Sequence, residues 1–153
     1  FHATKLYTNR CTQAEKMNAE ETEKEFIKNF VLKEKRERSL WALNHKKKRT
    51  EFIDKFNHNW NEMIAESNLT ELNTKSDFET YEKVKSELKL KDSELCYVIS
   101  HNELDRQFIK LKKAFDGIQK NGFAGLIVSR NGKKCYLKTE QEIGAPAKFI
   151  GIK

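Results

Sequence analysis

The spacing of apolar residues divides the chain into a helix-like first part and a strand-like last part. Phe26, Ile27, Phe30 and Val31 form one face of a first helix. Its start is expected near Thr12 or Asn18, because Thr12 with Glu15, and Asn18 with Glu21, have the spacing of a capping residue and its reciprocal carboxylate. No apolar residue occurs from Lys33 to Ser39, after which Leu40, Trp41 and Leu43 resume the pattern. Phe52, Ile53, Phe56, Trp60, Met63 and Ile64 follow a second helical stripe that is expected to end around residues 66–68. The two aromatic stripes need each other for burial, so a helical hairpin with a bend near residues 43–47 is expected rather than one rod. A third helix follows Ser76, which has Glu79 three residues on, and Phe78, Tyr81, Val84 and Leu88 line its face.

The period changes after Asp92. Residues 95–100 (LCYVIS) are an apolar run of strand length. Leu104, Phe108, Leu111, Phe115 and Ile118 step by four and three and predict a helix that stops at Asn121-Gly122. Residues 123–130 and 133–140 flank Asn131-Gly132, a strong hairpin signal. That turn places Leu126, Val128, Cys135 and Leu137 on one face, with Ile127, Ser129, Lys134 and Tyr136 on the other. A last strand over residues 147–152 follows Gly144-Ala145-Pro146.

The fold class that follows is α+β: an N-terminal helical hairpin plus a third helix, packed with a small mixed β-α-β-β-β sheet. The helical region covers residues 1–92 and the β-α-β-β-β region 93–153, in one compact domain, with the helices covering a face of the sheet. The first crossover is right-handed if its two strands are parallel. All six glycines and the single proline fall from Gly117 onward, which agrees with helices first and turns last.

Composition changes this picture in three ways. No stretch reaches the roughly 20 apolar residues that span a bilayer, so no transmembrane segment is expected. The first ten residues, FHATKLYTNR, carry no apolar run, so no signal-like segment is read there, and Phe1 in place of Met is expected of a processed or excised chain. Cys11, Cys96 and Cys135 are too scattered for a disulfide framework or a thiolate metal site; reduced core thiols point to a cytoplasmic location. The sequon Asn68-Leu69-Thr70 is short enough to arise by chance.

Charge is the strongest functional cue. Lys33, Lys35, Arg36, Arg38, Lys46, Lys47, Lys48 and Arg49 stand against Glu34 and Glu37, a net +6 in a chain whose total is +7. Such a patch attracts phosphates through charge and counterion release. Lys35, Arg36 and Arg38 are expected near the end of the first helix, where cations suit the dipole and need no ligand. Lys46, Lys47, Lys48 and Arg49 are expected to begin the second helix, where they oppose it. A second basic set comprises Lys110, Lys112 and Lys113 with Arg130, Lys133, Lys134 and Lys138, and among aromatic residues near it Tyr136 is the candidate for base stacking. Zinc-finger, RRM and KH signatures are absent.

Candidate chemistry centres on His101, Glu103, Asp105 and Arg106, which follow a buried-looking strand. There His101 would act as general base with Glu103 or Asp105, and Arg106 would hold an anion; the plainer reading is a helix cap and a loop histidine. Asp54, His58 and Glu62 share a helix side but lack a second motif to complete a metal shell, so no metal or cofactor is expected. His45, beside the lysines, would add to an anion site only at low pH. No phosphate-loop, G-x-G-x-x-G or G-x-S-x-G motif occurs. The function expected is therefore a small basic intracellular binding protein contacting RNA or DNA through its N-terminal Lys/Arg patch. The alternatives are a small basic nuclease or toxin-like catalytic domain, and a protein-interaction module or homodimer using the aromatic helices (Phe26, Phe30, Trp41, Phe52, Phe56, Trp60).

Overall fold

A computed structural model describes residues 13–120, 122–140 and 144–153. Five α-helices are described: α1 (Gln13–Phe30), α2 (Arg36–Leu43), α3 (Lys46–Asn59), α4 (Asp77–Leu88) and α5 (Leu111–Gln119). They pack on a sheet of six strands: β1 (Leu69–Glu71), β2 (Leu95–Ser100), β3 (Phe108–Lys110), β4 (Gly125–Ser129), β5 (Lys134–Lys138) and β6 (Lys148–Ile152). The class is α+β. Neighbouring strands run in the order β1-β6-β5-β4-β2-β3, and every pairing is antiparallel.

The central hairpin has the register its turn requires. Leu126 pairs with Leu137 and Val128 with Cys135 on one face, and Ile127 pairs with Tyr136 on the other. Gly132 adopts φ +74, and a Cβ there would stand 2.5 Å from Glu25 Cβ and 2.8 Å from the Phe26 nitrogen, so the turn is pressed against α1 as closely as glycine permits. Thr22 Oγ1 donates to the Arg130 carbonyl and Asn29 Nδ2 to that of Gly132, which fixes the contact.

Both faces of the sheet are covered. On one, Phe26, Phe30, Phe52 and Phe56 from α1 and α3, with Leu43 from α2, pack on Tyr97, Leu126, Val128 and Leu137. On the other, Tyr81, Val84 and Leu88 of α4 and Leu111, Phe115 and Ile118 of α5 pack on Val98, Ile127 and Tyr136. Four of the six aromatic residues of the N-terminal helices are thus core. Trp60 is half-buried on Phe149, and Trp41 alone among them is exposed. Cys96 and Cys135 are buried free thiols, each pushed up to about 12 by burial, so both stay neutral. Cys11 and Thr12 lie outside the described residues.

Several expectations are corrected. The sheet is antiparallel rather than mixed, and the three-residue strands β1 and β3 join it at its two edges. The helix expected from Leu104 begins at Leu111. Arg106 takes a left-handed φ of +66, and Phe108 and Ile109 instead pair with Tyr97 and Cys96. Helix α5 then carries the chain over β2, so β3 and β4 flank β2 in parallel without touching. The third helix packs on the face opposite the N-terminal pair, and Phe78 points to solvent. The second helix stops at Asn59, with a 3-10 turn at Trp60–Glu62.

Candidate nucleic-acid interface

The basic patch is built on two helix starts. Helix α1 ends at Phe30 because the backbone there turns to pair with a distant segment: Val31 bridges Ile64, Leu32 N–H donates to the Met63 carbonyl, and Ala65 N–H to that of Phe30. A new helix must then begin, and Arg36 is its first residue. Lys35, Arg36 and Arg38 therefore lie at a helix start rather than the expected helix end, and the dipole now opposes them. Arg36 is tied down by Nε, which donates to the Val31 carbonyl at 3.0 Å.

The bend falls where the sequence places it. Helix α2 ends at Leu43, Asn44 and His45 turn, and α3 begins at Lys46. His45 occupies the cap position without capping, since its Nδ1–H donates to the Trp41 carbonyl at 2.6 Å. The first turn of α3 therefore has no side-chain cap, and Lys46, Lys47 and Lys48 stand exposed on it. Among the described residues, Lys35, Arg38, Lys46 and Lys47 have no carboxylate within ion-pair distance, whereas Lys48 meets Glu51 at 3.2 Å. A groove of about 390 Å³ runs between α2 and α3, lined by Lys35, Arg38, Lys48 and Lys55 around Trp41, with Glu51 and Glu62 as its acids. The Trp41 indole rests on His45 (ring centres 4.3 Å apart) and is 49 % exposed. Sequence reasoning missed this residue as a stacking surface. Tyr136, which it favoured, is fully buried with its hydroxyl on Gln119 Oε1.

Arg49 behaves differently from the three lysines before it. It is 6 % exposed, and its guanidinium forks onto Asp105 (Nε to Oδ2 2.8 Å, Nη2 to Oδ1 2.9 Å). Nη1 reaches Glu23 Oε2 at 2.5 Å and the Leu43 carbonyl at 3.2 Å. Burial opposes the charge, but the Asp105 hydrogen bond and the Glu23 and Asp105 charges outweigh it and hold Arg49 above its already high pKa. Tyr97 completes the cluster by donating to Glu23 Oε2 at 2.6 Å, and its phenol is raised by burial first and by Glu23 second. Arg49 thus belongs to the interior and not to the outward patch. The cue lies in its position, because residues 49, 52, 53 and 56 share the spacing of the apolar stripe.

Of the chemical candidates, His101 and Glu103 stand together in a cleft of about 1020 Å³, beside Lys110, Lys112, Lys113 and Lys120. Asp105 is turned away onto Arg49 and also accepts the Ser100 N–H, and Arg106 does not line the cleft. The partner of His101 is neither Glu103 nor Asp105 but Asp54 of α3, whose Oδ1 is 2.9 Å from Nε2; the edge of the ring faces Phe123. The Asp54, His58, Glu62 stripe is dispersed, with Asp54 on His101 and His58 on Glu140. Among the described residues no group of three or more metal-ligating side chains is assembled. Lys47 and Asp54, seven residues apart, lie on one side of α3 about 10 Å apart along its axis, so the patch and the cleft are neighbours. The second basic set is not one surface: Lys134 donates to the Leu88 carbonyl, Arg130 covers Phe108 and Lys138 is buried.

Comparison with protein-family models, curated proteins and solved structures gives no match to this chain.

Proposed function

We propose that the protein binds RNA or DNA along the outer face of α2 and α3, with phosphates on Lys35, Arg38, Lys46, Lys47 and Lys48 and a base on Trp41. One observation carries this reading: a half-exposed indole lies in a groove between two helix starts, one carrying Lys35 and Arg38 and the other Lys46, Lys47 and Lys48, where folding alone disfavours cations and where, among the described residues, Lys48 is the one with a carboxylate in reach. A positive groove with an aromatic platform is the usual means of holding a single strand without sequence preference, and a stacked base contributes about 1–3 kcal/mol. No described helix is long and apolar enough to cross a membrane.

The test is fluorescence titration of the Trp60→Phe protein, in which Trp41 is the remaining indole, with a single-stranded oligonucleotide. Quenching that weakens strongly when Lys46, Lys47 and Lys48 become Gln is expected. Unchanged emission, or quenching indifferent to those substitutions, overturns the proposal.

A second reading has its own observation. His101, paired with Asp54, lines a cleft that also carries Lys110, Lys112, Lys113 and Lys120 with the carboxylates Asp92, Glu103 and Asp116, an arrangement that could serve proton transfer during phosphodiester cleavage. With Nε2–H held by Asp54, Nδ1 is the nitrogen that would take or give the proton. On this reading His101→Ala abolishes cleavage and leaves binding intact. It fails if the purified protein cleaves neither RNA nor DNA with divalent metal added.

A further inference from the structure

The turn that carries His101 is tied to both α3 and α5. Asn102 Oδ1 accepts the Ser100 hydroxyl at 2.6 Å and the Leu104 N–H at 3.0 Å, and Asn102 Nδ2 donates to the Gly117 carbonyl at 3.4 Å. Asp105 accepts the Ser100 N–H at 3.1 Å together with the Arg49 fork from α3. Gly117 of α5 lies so close to the turn that a Cβ there would stand 2.2 Å from Leu104 Cδ1. Arg106 takes a left-handed φ of +66, a conformation that side-chain-bearing residues rarely adopt. Such strain persists where the surroundings over-determine the backbone, and it clusters at functional sites. The His101 side chain takes no part in these bonds. It meets Asp54 of α3 instead, Nε2 to Oδ1 at 2.9 Å, and Nδ1 has no hydrogen-bond partner among the described residues.

Lys110 and Lys113 line the same cleft and form no ion pair among the described residues, whereas Lys112 is held by Asp116 at 3.0 Å. The half-exposed Phe123 ring is also on its wall, 5.8 Å from the His101 ring. A base held in one tautomer, ammonium groups and a flat ring thus share one cleft. RNA carries its own nucleophile, the 2′-hydroxyl beside each phosphate, which DNA lacks. Its cleavage therefore asks of the protein a base for that proton and positive charge near the phosphoryl oxygens. We infer, resting on the proton-transfer role of His101, that the cleft cleaves single-stranded RNA and not DNA by transesterification onto the 2′-hydroxyl. His101 Nδ1 takes the 2′-OH proton as the O2′–P bond forms and the P–O5′ bond breaks. O5′ takes a proton from the Lys110 or Lys113 ammonium, and the products are a 2′,3′-cyclic phosphate and a 5′-hydroxyl. Water then reprotonates the lysine and accepts the imidazolium proton, so both groups return to their starting state. Asp54 acts as a positioning residue that fixes the ring.

The test is incubation of a single-stranded RNA oligonucleotide, and of its DNA and 2′-O-methyl counterparts, with the purified protein in EDTA and separately in magnesium. Denaturing gels and phosphorus NMR read the products. RNA alone is expected to be cut, equally in both buffers, leaving 2′,3′-cyclic phosphate ends. His101→Ala and His101→Gln are each expected to lower kcat by about 100-fold or more while keeping the wild-type circular dichroism, because the turn's own bonds do not involve the ring. Asp54→Asn is expected to lower kcat and leave KM near the wild-type value. Cleavage of DNA as well, or RNA cleavage that requires magnesium and leaves no cyclic phosphate, overturns the inference while the proton-transfer reading stands. Cleavage of neither polymer, or RNA cleavage that survives both His101 substitutions, overturns the two together. An unchanged kcat in Asp54→Asn overturns the role given to that pair.

Discussion

Replacing Arg49 by Gln separates a structural role from a ligand-binding one. The substitution leaves Glu23, which is 0 % exposed, with Tyr97 as its remaining hydrogen-bond donor, because Glu23 Oε1 has no partner among the described residues. It also releases Asp105, which the guanidinium holds at 2.8 and 2.9 Å and through which α3 grips the turn carrying His101. Removing one member of a buried pair costs about 3–5 kcal/mol, because the surviving charge stays desolvated. Total stability for such a domain is about 5–15 kcal/mol, so about a fifth of it at the least is lost. Urea denaturation followed by circular dichroism reads this as a large fall in midpoint. Changing Glu23 to Gln as well removes the stranded charge and is expected to restore part of the loss. The reasoning is refuted if Arg49→Gln unfolds at the wild-type midpoint and instead weakens oligonucleotide binding as much as Lys46→Gln does.

The opposite stability effect is expected for Lys46, Lys47 and Lys48 changed together to Gln. The lysines oppose the α3 dipole by a few tenths of a kcal/mol each, and the exposed Lys48–Glu51 pair returns little, so stability should rise by about 0.5–1 kcal/mol, seen as a melting temperature up by about 1–4 °C. A lower melting temperature would show that the lysines serve the fold. At high pH, Tyr97 and Tyr136 should stay neutral, since burial raises both above the ordinary 10.0. A phenol raised in the fold stabilises below its unfolded pKa and loses that contribution as pH climbs past 10.0. Phenolate absorbance from these two residues should therefore appear together with loss of circular dichroism; titration at the ordinary value in folded protein would contradict it.

Local rules made part of the molecule legible. Asn131-Gly132 set the register and both faces of the β4–β5 hairpin, and Ser76 with Glu79 marked the start of α4, since each depends on neighbours in sequence. The bend before Lys46 followed from two stripes that had to meet. Non-local pairing decided what was missed. Val31 finds Ile64 and so ends α1 early, which reverses the dipole argument for Lys35, Arg36 and Arg38. Leu104, Phe108 and Leu111 fit a helical period by coincidence, because Phe108 is held by Tyr97 in an edge strand. The partner of His101 sits on another element, 47 residues away at Asp54. Arg49 was readable on the apolar stripe, but its charge outweighed its position. Exposure of Trp41 depends on how α2 lies against α3, which no local pattern records.

The central claim is that the α2–α3 face holds phosphates. Its most direct test is the salt dependence of binding to a fluorescent single-stranded oligonucleotide, measured by polarisation for the wild type and for Lys46, Lys47 and Lys48 changed to Gln. Each phosphate held on a single strand contributes about −0.7 to the slope of log K against log salt, so three lost contacts should flatten that slope by about 2. A wild-type slope near zero, or the same slope in both proteins, would contradict the claim.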